Sequence, residues 1–155
     1  LNTLYWGGWT GVAFSNPLTR FGSLVVQVIP IDPSRGVRTS LALAASVLER
    51  ECGVVWFPEG EISLSGELQE LRPGIGMLLE HFSVPVIPVA IHGTHESLPP
   101  GKHIPTRGRL IIRFGVPLEP GQLVEQGEGD DVTARITNAL QGHMRKLQMQ
   151  DEDSR

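Results

Sequence analysis

The chain has 155 residues, 40% of them hydrophobic and 19% charged, which suits one globular domain, since a chain of this length buries about 68–70% of its unfolded surface. Thirteen Lys and Arg against 17 Asp and Glu leave a net charge of −4, which argues against a nucleic-acid partner because such binding needs a basic surface. Cys52 is the single cysteine, excluding an internal disulfide or a Cys-cluster zinc site; no apolar run approaches the roughly 20 residues of a membrane-spanning helix, and the first residues do not read as a signal peptide.

Residues 3–16 are aromatic and rich in glycine, which disfavours a stable helix there. Residues 24–31, Leu-Val-Val-Gln-Val-Ile-Pro-Ile, read as a strand buried on both faces. Asp32 to Gly36 carry turn chemistry. The recurrence of Leu41, Ala44, Ala45 and Leu48 predicts a helix over 38–51, with Gly53 as its stop. Val54 to Phe57 reads as a short buried strand closed by Pro58. A helix is expected over 73–82, with Pro73 near its first turn. Val84 to Ile91 reads as a strand made irregular by Pro85 and Pro88. Residues 92–108 read as a long loop, Leu110 to Phe114 as a strand, and 119–131 as an acidic, Gly-rich loop. Residues 131–147 form an amphipathic helix with Val132, Ile136, Leu140 and Leu147 on one side; Asp151 to Arg155 read as a disordered acidic tail. The alternation predicts an α/β fold over residues 1–150, a largely parallel, mixed sheet flanked by helices.

The richest stretch for chemistry is 54–76. A buried strand runs into Pro58 and presents Glu59 and Gly60 at its carboxyl end, the edge at which open α/β sheets bind ligands. Gly60 permits a sharp turn and close approach of a ligand. Ser63 and Ser65 supply hydroxyls, and Arg72 precedes a helix N-terminus, a pairing that suits an anion. An ordinary strand–turn–helix connection with an exposed carboxylate and a solvated arginine has the same composition. Gly74-x-Gly76 lacks the third glycine of a dinucleotide fingerprint and reads better as close packing of the helix.

Phe57-Pro58-Glu59-Gly60 with Ser63 resembles the F-P-E-G-T-R-S block of the PlsC-like glycerolipid acyltransferases, also called lysophospholipid acyltransferases. Leu71-Arg72-Pro73-Gly74 is similar to the family's F-K-x-G segment, Val84 to Ile91 to its V-P-I-V-P-V block, and Val28 to Asp32 to its I-P-V-D-R segment. Order and spacing agree across about residues 21–115, four matched blocks carrying far more weight than one. The resemblance implies transfer of a fatty acyl group from acyl-CoA or acyl carrier protein to the hydroxyl of a lysophospholipid or acylglycerol phosphate, at the cytoplasmic face of a membrane to which the protein binds peripherally. It implies acceptor binding by Glu59, Gly60, Ser63 and Arg72, with Arg35 a displaced candidate. It implies neither cofactor nor metal. A carboxylate repels phosphate, so Glu59 is expected to bond an acceptor hydroxyl or to orient a cation.

Two departures stand out. The family's base is the His of an H-x-x-x-x-D motif, and none of His81, His92, His95, His103 and His143 has Asp five positions on. With Leu1 at the start, the sequence reads as the later part of a longer acyltransferase whose base lies upstream, and this chain alone is expected to be inactive. The family's Thr-Arg after F-P-E-G is Glu61-Ile62, and its Arg after Asp32 is Pro33, with Arg35 two positions later. A non-catalytic module that binds phospholipid or an acyl carrier is the alternative.

Weaker candidates surround this core. His92 and His95 have a metal-ligand spacing but sit in a Gly/Pro loop. His95 beside Glu96 reads either as a substitute base or as polar surface. Cys52 reads as a small buried residue. Trp6, Trp9 and Phe14 suit either a membrane interface or packing on the sheet. Lys102, Arg107, Arg109 and Arg113 form a basic cluster suited to anionic headgroups or CoA phosphates, or simply to solvent.

Overall fold

The computed structural model describes residues 3–9, 14–15, 17–31, 37–102 and 104–149. The chain forms two compact units, Leu1–Pro58 and Glu59–Arg155.

The first unit is built from strand β1 (Leu4–Trp9), helix α1 (Pro17–Val25), strand β2 (Val28–Ile31), helix α2 (Val37–Leu48) and strand β3 (Gly53–Val55). The three strands are parallel in the order β2-β1-β3. Trp6 lies opposite Val28 on one side and Val55 on the other. The segment whose glycines speak against a helix is therefore the middle strand. Its Leu-Tyr-Trp-Gly-Gly-Trp pattern lacks the alternation that marks a strand in sequence, and ladder bonds to two neighbours supply what side-chain propensity does not.

The strand expected over 24–31 is half helix. Leu24 and Val25 end α1, the chain turns through Val26 and Gln27, and only Val28–Ile31 is extended. Gln27 takes a left-handed φ of 60° at that turn. β-Branched residues favour strands only as fitting surfaces, and the Pro17 start carries the helix through them. Nor is the strand buried on both faces: Ile29 is buried, but Pro30 is exposed.

Helix α2 ends three residues short of expectation, at Leu48, and buries Ser40, Ala44 and Val47. Glu51, with φ 57°, makes a left-handed turn two residues before Gly53, the expected stop. Gly53 instead opens β3, where a Cβ would lie 2.8 Å from Leu4 Cδ1. Strand β3 stops at Val55, and Phe57 is exposed.

The second unit begins with a long loop, followed by α3 (Gly74–His81), β4 (Val89–His92), α4 (Thr94–Ser97), β5 (Ile111–Phe114), α5 (Pro120–Gln126) and α6 (Val132–Met149). Strands β4 and β5 pair antiparallel, with Ile91 opposite Ile112 and Val89 opposite Phe114. The prolines confine β4 to its last four residues. Val86 makes an isolated bridge to Leu118, its amide and carbonyl each bonded at 2.9 Å, before Pro88 removes the next donor.

Two short helices escape the sequence reading. Helix α5 arises inside the stretch read as an acidic loop, started by Pro120 at its first position and by the Glu119 amide donating to Gln122 Oε1 at 3.1 Å. Helix α4 occupies one turn of the 92–108 loop. The core gathers Ile75, Leu78 and Leu79 of α3, Leu123 of α5, and Ile136 and Leu140 of α6. Gly76 lets α3 press against α6, since a Cβ there would meet the Thr133 carbonyl and the Thr137 hydroxyl. Val132, expected on the apolar side of α6, is 40% exposed in the first turn. The acidic tail lies outside the described residues. A parallel sheet flanked by helices, joined in the same chain by an antiparallel pair, makes a mixed α/β fold.

Candidate functional site

Residues 59–72 form a loop closed upon itself. The Gln69 amide donates to Glu59 Oε2 at 2.8 Å, a part-buried bond. Arg72 Nε donates to the Glu59 carbonyl at 3.3 Å, and Arg72 Nη2 pairs with Glu61 Oε1 at 2.6 Å. Gly60 adopts φ 74°, which an L side chain resists, and a Cβ there would lie 3.3 Å from Arg72 Cγ. The loop thus brings Glu59, Gly60 and Arg72 together, as the sequence suggests.

Ser63 is engaged elsewhere. Its hydroxyl donates to the Glu67 carbonyl at 2.7 Å, and Ser65 Oγ accepts from the Glu67 amide at 3.3 Å. The two serines brace an inner turn in the manner of short side-chain-to-backbone bonds. Arg35 lies outside the described residues, as do Asp32 and Pro33.

Three further residues hold the loop in place, of which the sequence reading passed over Gln141 alone. Gln141, nearly fully buried on α6, accepts from the Leu71 amide at 2.7 Å and donates Nε2 to the Gln69 carbonyl at 3.1 Å. His95, in α4, packs against Gly66 at the far end of the loop: a Cβ on Gly66 would lie 2.9 Å from His95 Cγ. Glu61 neutralises Arg72. Its sign and its place in the F-P-E-G block were the available signals for that pairing; Gln141, some seventy residues away, offered none.

The unspent groups set what the loop can do. Among the described residues, neither Glu59 Oε1 nor Arg72 Nη1 has a hydrogen-bond partner. The first can accept from a hydroxyl and the second can donate to an anion. The Arg72–Glu61 pair is exposed, at 63% and 65%, so it contributes about 0.2–1 kcal/mol and is held loosely.

The weaker candidates separate. His95 belongs to the loop's support. Among the described residues no three of the His, Cys, Asp and Glu side chains converge in a metal-binding group; His103 lies outside them. Lys102, Arg107 and Arg109 are exposed, whereas Arg113 is half-buried on β5. Cys52 is half-buried, with its thiol near the Arg50 carbonyl at 3.5 Å. Trp6 is 43% exposed and Phe14 half-buried, while the side chain of Trp9 lies outside the described set. In the first unit, Tyr5, Val28, Ile29, Leu43, Val47 and Arg50 line an open cleft of 260 Å³. That is below the roughly 300–1,000 Å³ of ordinary ligand sites, and we assign no substrate to it.

The fold matches the crystal structure of the 1-acyl-sn-glycerophosphate (LPA) acyltransferase PlsC from Thermotoga maritima with a TM-score of 0.69 at 22% identity. The match covers 96% of this chain and 57% of that one, so the chain spans little more than half the length of that protein. A family profile described as Acyltransferase matches residues 11–92, a stretch of 82 residues that includes β2, β3, the closed loop and β4. The ordered blocks, the PlsC-like fold and the profile covering more than half of the sequence agree, and the chain belongs to the acyltransferase family.

Proposed function

We propose that residues 1–150 form the acceptor-binding part of a glycerolipid acyltransferase. The acyl group comes from acyl-CoA or acyl carrier protein, and the acceptor is a lysophospholipid or acylglycerol phosphate. In the transfer, the acceptor oxygen bonds to the thioester carbonyl carbon, the carbon–sulfur bond breaks, and a base moves the hydroxyl proton towards the leaving thiolate. No histidine of these 155 residues has Asp five positions on, and we assign the base to none of them.

The observation that carries this reading is the closed loop. It holds a free carboxylate oxygen on Glu59 and a free guanidinium N–H on Arg72, within a block resembling the family's acceptor site. Glu59 accepts the acceptor's hydroxyl; Arg72 meets its phosphate. Ser63 keeps the turn between them.

Peripheral attachment at the cytoplasmic face of a membrane goes with such an acceptor. Among the described residues no helix is long and apolar enough to cross a bilayer. Helix α1 exposes Phe21, Leu24 and Val25 on adjoining turns, the kind of face that lies in a lipid interface.

The test is acceptor binding by the whole chain. Arg72→Ala is expected to weaken binding of a lysophospholipid by about tenfold, the value of a charge-assisted hydrogen bond, and Glu59→Ala to weaken it as well. Unchanged affinity in both variants by calorimetry puts the site elsewhere.

A further inference from the structure

We propose that Glu61 is a specificity-determining residue that turns the acceptor site away from phosphate monoesters and towards lysophospholipids whose phosphate is a diester. The inference rests on the acceptor-site reading above and goes one step further, to the class of headgroup.

An arginine grips a phosphate best through two parallel N–H bonds from one edge of its fork. Arg72 has already committed Nε to the Glu59 carbonyl at 3.3 Å and Nη2 to Glu61 Oε1 at 2.6 Å. Nε is therefore taken, but Nη2 carries a second N–H, so a phosphate can still meet Nη1 and Nη2 while the Glu61 carboxylate stays on the same nitrogen.

Charge carries the discrimination. A phosphate monoester near neutral pH carries close to two negative charges, because its second pKa is about 6; a diester carries one. Any phosphate on Arg72 lies beside the Glu61 carboxylate, whose repulsion doubles for the monoester and cancels the extra attraction that Arg72 alone would give it. In the resembling family block the two positions after F-P-E-G are Thr-Arg, a hydroxyl and a cation. Here they are Glu61 and the exposed, apolar Ile62. The exchange removes one positive charge and adds one negative charge at the point where a phosphate would dock.

The ion pair is exposed and weak, so it biases the choice without forbidding a monoester. The discrimination expected from Glu61 is about fivefold, the value of one unit of repulsion at close range in water. It falls as ionic strength rises.

The experiment titrates the whole chain with lysophosphatidate and with lysophosphatidylcholine of the same short acyl chain, each below its micelle concentration. The ratio of the two dissociation constants isolates the headgroup. Wild type is expected to show no preference for the monoester. Glu61→Gln keeps the size of the side chain and removes its charge, and is expected to shift the ratio about fivefold towards the monoester. Glu61→Ala should do the same, which separates charge from side-chain shape. Both variants are checked for an unchanged unfolding midpoint.

An unaltered ratio in Glu61→Gln and Glu61→Ala, while Arg72→Gln still weakens binding of both lipids, overturns the role of Glu61 and leaves the acceptor site standing. Arg72→Gln without effect on either lipid overturns the acceptor site itself, and this inference with it. Absence of binding of either lipid to wild type does the same.

Discussion

Glu59 and Gln69 stand ten residues apart in sequence, yet the carboxylate of one accepts the backbone amide of the other at 2.8 Å. The residue proposed to meet the acceptor is therefore also the clasp of its own loop. One oxygen holds the loop and the other is free. Glu59→Ala leaves a part-buried N–H without its acceptor and is expected to cost about 1–3 kcal/mol of stability. Denaturant unfolding measures the loss, and faster hydrogen exchange at the Gln69 amide locates it. Glu59→Gln keeps an acceptor oxygen and should cost less.

Gln141 works from the other side. Replacing it with Leu keeps the volume and removes both bonds to the loop, leaving the Leu71 amide and the Gln69 carbonyl unpaired. A loss of about 2 kcal/mol is expected, along with weakened acceptor binding although Gln141 meets no ligand. An unfolding midpoint equal to that of wild type, with slow exchange at Leu71, contradicts the clamp.

Two glycines test backbone and packing separately. Gly60→Ala places a Cβ at φ 74° and is expected to cost about 1–2 kcal/mol through local strain, with the loop affected first. Gly76→Ala drives a methyl group into the Thr133 carbonyl between two helices. Such overpacking costs about 1–3 kcal/mol, and here it forces α3 from α6 across the core. Circular dichroism melts should rank Gly76→Ala as the more damaging of the pair.

Turnover is the fourth expectation. General-base assistance contributes about 10²–10⁴-fold, and none of the five histidines carries the family's His-Asp spacing. The 155-residue chain mixed with acyl-CoA and a lysophospholipid is expected to release thiol at no more than the uncatalysed rate while still binding the acceptor. Rapid, acceptor-dependent thiol release would place a base among these residues.

The F-P-E-G block, the helix starting at Pro73 and the small-residue contact at Gly76 were legible in one dimension. Their signals are local: a proline that fixes φ, a glycine that admits close approach, apolar residues repeating every three or four positions. The alternation of helices and strands was enough for the α/β class. Other elements were not legible because the deciding forces come from elsewhere in the chain. Leu4–Trp9 is a strand because β2 and β3 pair with both of its edges, not because its glycines favour one. Val25 has strand propensity and ends a helix, the choice being made by a helix already under way from Pro17. The candidate site divides in the same way. Glu59, Gly60 and Arg72 could be named from the sequence because they cluster within fourteen residues. Gln141 could not, because a hydrogen bond across seventy residues leaves no local pattern. Nor could composition distinguish a solvated Arg72 from one held by Glu61; that depends on the path of the loop, which Gly60, Gln69 and Gln141 set together through backbone hydrogen bonds.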